Sequence, residues 1–445
     1  MKSKTFYKKM LIIAIPIALQ NLITVGVSMA DTVMLGALGE EALSASSLAN
    51  QLFFVFTLVI YGTAGGTNVL IAQFWGKKDI QKIKRILAYT YRIVIGIAFI
   101  MLVLAAVFPT IIMRLFTNDT QVIALGILYL RIVSISYLFF GIATITTNIL
   151  RAIQTVRISL FASIASLVIN IFFNWIFIFG NLGAKPMGIA GAAVATTLAR
   201  FIECLIVIGY MKFKEDKLHL HIQELLPRDK KIGVLFRENS FPVICNELLW
   251  SSGTALLSVI IGHMGTQFTA AYSIYNVISQ LTCVLAQGIA ASAAVLVGNT
   301  IGAKNYGRLP FMVHSFQKAA CVTGVIAFSM VWIIRPLMPI IYDITPTAME
   351  YLMKILCIGA VMEAFRPIAF VNMVGILRGG GDARFVLVND IVFLWTLCLP
   401  LGYLCGLILK LPVPLVFTVL RFDDMIKVIT STVRIKRNHW MKNLT

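Results

Sequence analysis

Residues 10–39 read MLIIAIPIALQNLITVGVSMADTVMLGALG and carry a single charge, Asp31. As a helix rising 1.5 Å per residue the run covers about 45 Å. About 20 apolar residues suffice to cross a hydrocarbon layer of ~30 Å. Apolar runs of this kind recur along all 445 residues, which are 59% hydrophobic and 13% charged. Soluble domains are about half apolar and a quarter charged. The runs are continuous, without the alternating polarity of barrel strands. The sequence therefore predicts an all-α membrane protein.

Twelve transmembrane helices are predicted, at about 10–38, 44–74, 86–108, 121–147, 158–180, 188–211, 240–262, 268–300, 308–334, 346–376, 385–408 and 412–433. Arg421, Asp423, Asp424 and Lys427 interrupt the last, whose second half is expected to leave the bilayer. With a cytoplasmic N-terminus, the inner segments hold 26 Lys and Arg, Lys2, Arg228 and Lys442 among them. The outer loops hold four: Arg114, Lys185, Arg335 and Lys410. This asymmetry places both termini in the cytoplasm of a multi-pass cell-membrane protein. It also accounts for the net charge of +19, which meets anionic lipid heads. No basic soluble domain is present to bind nucleic acid. The first apolar stretch is too long for a cleaved leader and is read as a retained span. Seven scattered cysteines without a CxxC argue against a disulfide or metal framework. No GxSxG, Walker loop or HExxH occurs, so neither catalysis nor internal ATP-driven transport is expected.

The chain repeats itself. At an offset of 226, Pro16 matches Pro242, Gly36 matches Gly262, Gly39 matches Gly265 and Asn50 matches Asn276. The register continues through Gly62 and Gly288, Gly76 and Gly302, and Lys78 and Lys304. At 227, LRAIQTVR (150–157) matches LRGGGDAR (377–384). Six spans per half is an even number, so the halves are parallel repeats forming two pseudo-symmetric six-helix bundles. The expected organisation is a lobe at 1–211, a cytoplasmic linker at 212–239 and a second lobe at 240–445. Such a pair suits alternating access. Asp31 corresponds to Leu257, so the shared architecture does not demand an acid there. An ionised Asp at mid-membrane costs about 2.5–3.5 kcal/mol on insertion scales, and such residues usually line ion paths. The alternative is a neutralised carboxyl, protonated or paired with Arg131 or Arg200. On the fifth span Asn170 and Asn174, four apart, share one helix face. They suit helix–helix hydrogen bonding or, as oxygen ligands, a hard cation.

These features resemble the multidrug and toxic compound extrusion transporters. The resemblance rests on PIALQNL…MADTVMLGALG, AQFWGKKD after the second span, LRAIQTVR and LRGGGDAR, GIAGAAVATTLAR opening the sixth span, and the basic end RIKRNHWMKNL. It covers essentially the whole chain. It implies two six-helix lobes and antiport, in which a substrate leaves as sodium ions or protons enter. It implies a cation or proton site at Asp31, with Asn170, Asn174 and Thr196, and Thr197 as a rival. Sodium would bind Asp31 and Asn170. The family's prokaryotic branch commonly has Asp where this chain has Asn174, which leaves sodium or proton coupling open. Asn148, Glu247, Glu363, Met29 and Met34 are further candidates for the cavity or substrate. Glu247 and Glu363 lie about one turn from the spacing the family suggests. LRAIQTVR lacks the family's glycine and acid. Both LR loops are read as turns with arginine facing phosphate heads. Methionines and aromatics would suit varied amphipathic cations. The expected protein is a monomer without cofactor, acting on amphipathic or cationic small molecules among membrane lipids. A lipid-linked precursor flippase of the same architecture needs several basic residues in its cavity. The third possibility is an uncoupled receptor or channel.

Overall fold

The computed structural model describes residues 3–220, 224, 229–342 and 344–445. Lys2 and Arg228 of the basic set, and linker residues 221–223 and 225–228, lie outside these. The described residues form helices and no strand. In chain order the helices are α1 (Ser3–Gly36), α2 (Glu40–Lys77), α3 (Ile80–Val107), α4 (Pro109–Phe116), α5 (Thr120–Val133), α6 (Ser136–Ala152), α7 (Arg157–Phe179) and α8 (Ile189–Phe213). The second half runs α9 (Lys230–His263), α10 (Thr266–Gly302), α11 (Leu309–Ile334), α12 (Met338–Ile341), α13 (Pro346–Phe370), α14 (Ala383–Ile391), α15 (Leu399–Tyr403), α16 (Val413–Arg421) and α17 (Asp423–Lys436). Wider π turns at Val371–Leu377, Val392–Cys398 and Leu404–Ile408 extend the helices they follow.

Among the described residues ten helices are long and apolar enough to cross a membrane, and eleven if α5 and α6, bent by 50°, form one span. The twelfth predicted span is a pair of shorter helices, α16 and α17, broken at Phe422. Its charges are packed inside the unit rather than left in solvent. Asp423 is 8% and Lys427 4% exposed. Each buried charge has an opposite partner, with Lys427 Nζ 2.7 Å from Asp423 and 3.0 Å from Asp390. Pairing makes such burial tolerable.

The chain falls into two compact units. One comprises Leu19–Ile71 and Asp79–Ile244; the other holds residues up to Ala18, Ala72–Lys78 and Cys245–Thr445. The sequence repeat is also a backbone repeat. Gly39 (φ 109°) and Gly265 (φ 125°) stand immediately before α2 and α10 with torsions that need glycine. Lys78 (63°) and Lys304 (56°) are left-handed alike, as are Gln154 (62°) and Gly381 (91°). The last pair closes matching helix ends, with Thr155 N donating to Leu150 O at 2.7 Å and Asp382 N to Leu377 O at 3.0 Å. In the first unit α7 and α8 approach closely, because a Cβ on Gly191 would lie 2.5 Å from Phe177 O. In the second, the C-terminal segment is clamped down: Gln73 donates to Lys442 O, and Trp440 is buried against Gly380.

Candidate functional site

The first unit brings Asp31, Asn170, Asn174 and Thr196 together. Asn174 Nδ2 donates to Asp31 Oδ1 at 2.6 Å and to Asn170 Oδ1 at 3.2 Å. Asn170 Nδ2 reaches Thr196 Oγ1 at 3.4 Å. Three helices, α1, α7 and α8, thus converge oxygen atoms on one spot. Asn174 Oδ1 is buried there without a partner among the described residues. Such a group costs free energy until a donor or cation meets it. The carboxylate, two amide oxygens and a hydroxyl form a donor set suited to a hard cation or to a proton-bearing carboxyl.

Of the two arginines weighed as partners for Asp31, Arg131 is exposed. Arg200 is turned inward. Its Nη1 donates to Ser136 at 2.7 Å and its guanidinium lies 3.8 Å over the Phe53 ring. Its charge acts on Asp31 without forming an ion pair. Thr197 bonds the Ala193 carbonyl of its own helix at 2.8 Å, as Asn148 bonds that of Thr144 at 2.9 Å. Met29 is 60% exposed and Met34 half-buried; neither touches the cluster through a polar contact.

The MatE family profile matches residues 16–176 and again 242–404, the two repeats. The chain belongs to the MatE family, the multidrug and toxic compound extrusion transporters. It is 26% identical to a probable multidrug resistance protein NorM of Agrobacterium fabrum, over 96% of both chains. It is 25% identical to a probable multidrug resistance protein YoeA of Bacillus subtilis, covering 70% of this chain and 68% of that one. A mutant of the Vibrio cholerae MATE transporter VcmN superposes with a TM-score of 0.89 at 16% identity, covering 99% of this chain and 98% of that one.

The second unit of this MATE protein has its own polar interior, in which the candidate acids Glu247 and Glu363 each meet an arginine. Glu363 on α13 is 1% exposed. It accepts from Tyr275 (2.9 Å), Ser279 (2.5 Å) and Thr282 (2.8 Å) and pairs with Arg366 at 3.2 Å. Glu247 pairs with Arg378 at 3.1 Å. Arg378 does not face phosphate heads as expected of the LR loops. It is 8% exposed and also donates to Asn246. Its counterpart Arg151 donates to Gln20. Each arginine is held by a polar side chain inside its unit. The extension of the Asn170–Asn174 face of α7 through Ser159, Ser163 and Ser166, at helical spacing, also went unread. Among the described residues no group of three or more His, Cys, Asp or Glu is placed to hold a metal ion.

Proposed function

We propose that this MATE transporter exports amphipathic or cationic small molecules in exchange for an inward-moving cation, sodium or proton. The observation that carries this is the Asp31–Asn174–Asn170–Thr196 cluster. A lone carboxylate in an apolar helix accepts from the Asn174 amide, which leads through Asn170 to the Thr196 hydroxyl, with one amide oxygen still unmet. Cation or proton loading would satisfy that oxygen and neutralise the acid, and unloading would restore the charge. Affinity for the ion then differs between two states of the protein, which is what coupling requires. The names of the NorM and YoeA relatives support drug substrates. The repeat supports lobes at 1–211 and 240–445 that rock about the linker. The basic asymmetry supports cytoplasmic termini. A flippase fits less well, because Arg366, Arg378 and Lys427 already face carboxylates. The test is ethidium transport by proteoliposomes under a sodium gradient alone and a pH gradient alone. Transport under one of them is expected; transport under neither refutes the proposal.

A further inference from the structure

Both units contain the same hydrogen-bonded ladder, and the two copies end differently. In the second unit Arg378 Nη2 donates to Asn246 Oδ1 at 2.9 Å, and Asn246 Nδ2 donates to Asp390 Oδ2 at 2.9 Å. Asp390 then meets Lys427 at 3.0 Å, and Lys427 meets Asp423 at 2.7 Å. In the first unit Arg151 donates to Gln20, and Gln20 Nε2 donates to Ser163 Oγ at 3.0 Å. Ser163 Oγ then donates to Glu203 Oε1 at 3.4 Å. Arg151 and Arg378, Gln20 and Asn246, and Ser163 and Asp390 are repeat equivalents, at offsets of 226 or 227. The final rungs lie on α8 and α17. There the second unit supplies a fixed cation, Lys427, between two carboxylates, and the first unit supplies a carboxyl, Glu203.

Glu203 has hydroxyls for partners, Ser163 and Ser166. No ion pair to it is found among the described residues. The charged and titratable groups around it are Arg200 one turn away on α8, Arg151 on α6, Tyr61 on α2 and Cys204 beside it. Arg200 is committed to Ser136 and the Phe53 ring, and Arg151 to Gln20. Glu203 therefore lacks the resident cation that its counterpart ladder contains. Polar residues line both helices between Glu203 and Asp31. On α7, Ser163 and Ser166 continue through Asn170 to Asn174, spaced three, four and four residues. On α8, Thr196, Arg200 and Glu203 are spaced four and three. Two polar stripes thus face each other along about 16 Å, the rise from Gln20 to Asp31 on α1.

We propose that Glu203 is the second proton-carrying group of the antiport site, the relay between Asp31 and the end of the lobe at Arg151. This rests on the antiport reading and commits it to protons, because the partners of Glu203 are hydroxyls that can pass a proton on. The O–H bond of Asp31 breaks and leaves a carboxylate. The proton crosses on water along the hydroxyl and amide stripes and forms an O–H bond on Glu203. It then leaves to water at the Arg151 end.

The test uses the purified full chain in nanodiscs and in proteoliposomes. Infrared difference spectra are recorded while pH is stepped between about 4 and 10. A protonated-carboxyl band is expected that survives Asp31→Asn and disappears in Glu203→Gln. In proteoliposomes Glu203→Gln should slow pH-driven ethidium transport at least tenfold while ethidium binding changes less than twofold. Glu203→Asp should recover part of the rate and shift its pH profile. An unchanged infrared spectrum in Glu203→Gln, or a wild-type transport rate, overturns the relay. Transport driven by sodium alone overturns it as well. A wild-type protein that moves ethidium under no gradient overturns the antiport reading instead, and the infrared band still decides whether Glu203 titrates. If Glu203→Gln does not fold, the band shift and pH profile of Glu203→Asp decide.

Discussion

Replacing Glu363 by Gln tests whether the acid of α13 is a structural anchor. The side chain has the charge of Arg366 at 3.2 Å and three hydroxyl donors at 2.5–2.9 Å. Gln keeps the shape and one acceptor oxygen. Its NH2 group faces hydroxyls that were donating, and the negative charge is gone. Breaking a buried ion pair from one side costs about 3–5 kcal/mol. Arg366 keeps some access to solvent, its side chain being 21% exposed, which favours the lower end. For a unit of about 200 residues 1 kcal/mol moves Tm by about 2–4 °C. A fall of about 6–12 °C in thermal unfolding of the detergent-solubilised protein is therefore expected, followed by size-exclusion fluorescence. The double variant Glu363→Gln with Arg366→Gln should recover part of the loss, since the unpaired cation is removed. A Glu363→Gln protein that melts with the wild type would refute the anchoring role.

Gly302→Ala would drive a Cβ into the Gln73 carbonyl oxygen, where the ends of α2 and α10 meet. Overpacking of this kind costs about 1–3 kcal/mol, so a lower Tm is expected; an unchanged one would mean that the contact yields freely. Gln154→Gly relieves a left-handed residue at φ 62°. Strain relief of about 1–2 kcal/mol is partly offset by the added freedom of the unfolded chain, so stability should hold or rise slightly. Gly381→Ala at the equivalent turn should be clearly destabilising in the same assay, because a Cβ there meets Lys442 O at 3.0 Å.

Much of the architecture was legible because the bilayer imposes it. Runs such as 10–39 have to be helices, and the repeat held its register down to the matching torsions at Gln154 and Gly381. Asp31 stood out because nothing charged surrounds it in sequence, and spacing alone put Asn170 and Asn174 on one face. In the second unit Glu247 and Glu363 were picked out as candidate acids, but their partners were not legible. A charge in a span reads as a cost until its partner is known, and Asp390 lies 37 residues from Lys427. The charges at 421–427 therefore gave no sign that Lys427 pairs with Asp390 and Asp423. Arg378 was misplaced for the same reason: loop arginines suggest lipid phosphate, and its partners Asn246 and Glu247 lie on a different helix. Glu203 carried a signal that went unused, the recurrence of polar residues along α7 and α8 at helical spacing.

The most direct measurement is pH- or sodium-driven ethidium efflux by Asp31→Asn protein in proteoliposomes, beside its thermal stability. Asn preserves the shape and removes the group proposed to bind the cation or proton. The repeat partner Leu257 indicates that the fold does not need the charge. The account predicts a folded protein with an unchanged or higher Tm and no coupled efflux. Wild-type efflux by folded Asp31→Asn protein, under the same gradient, would contradict it.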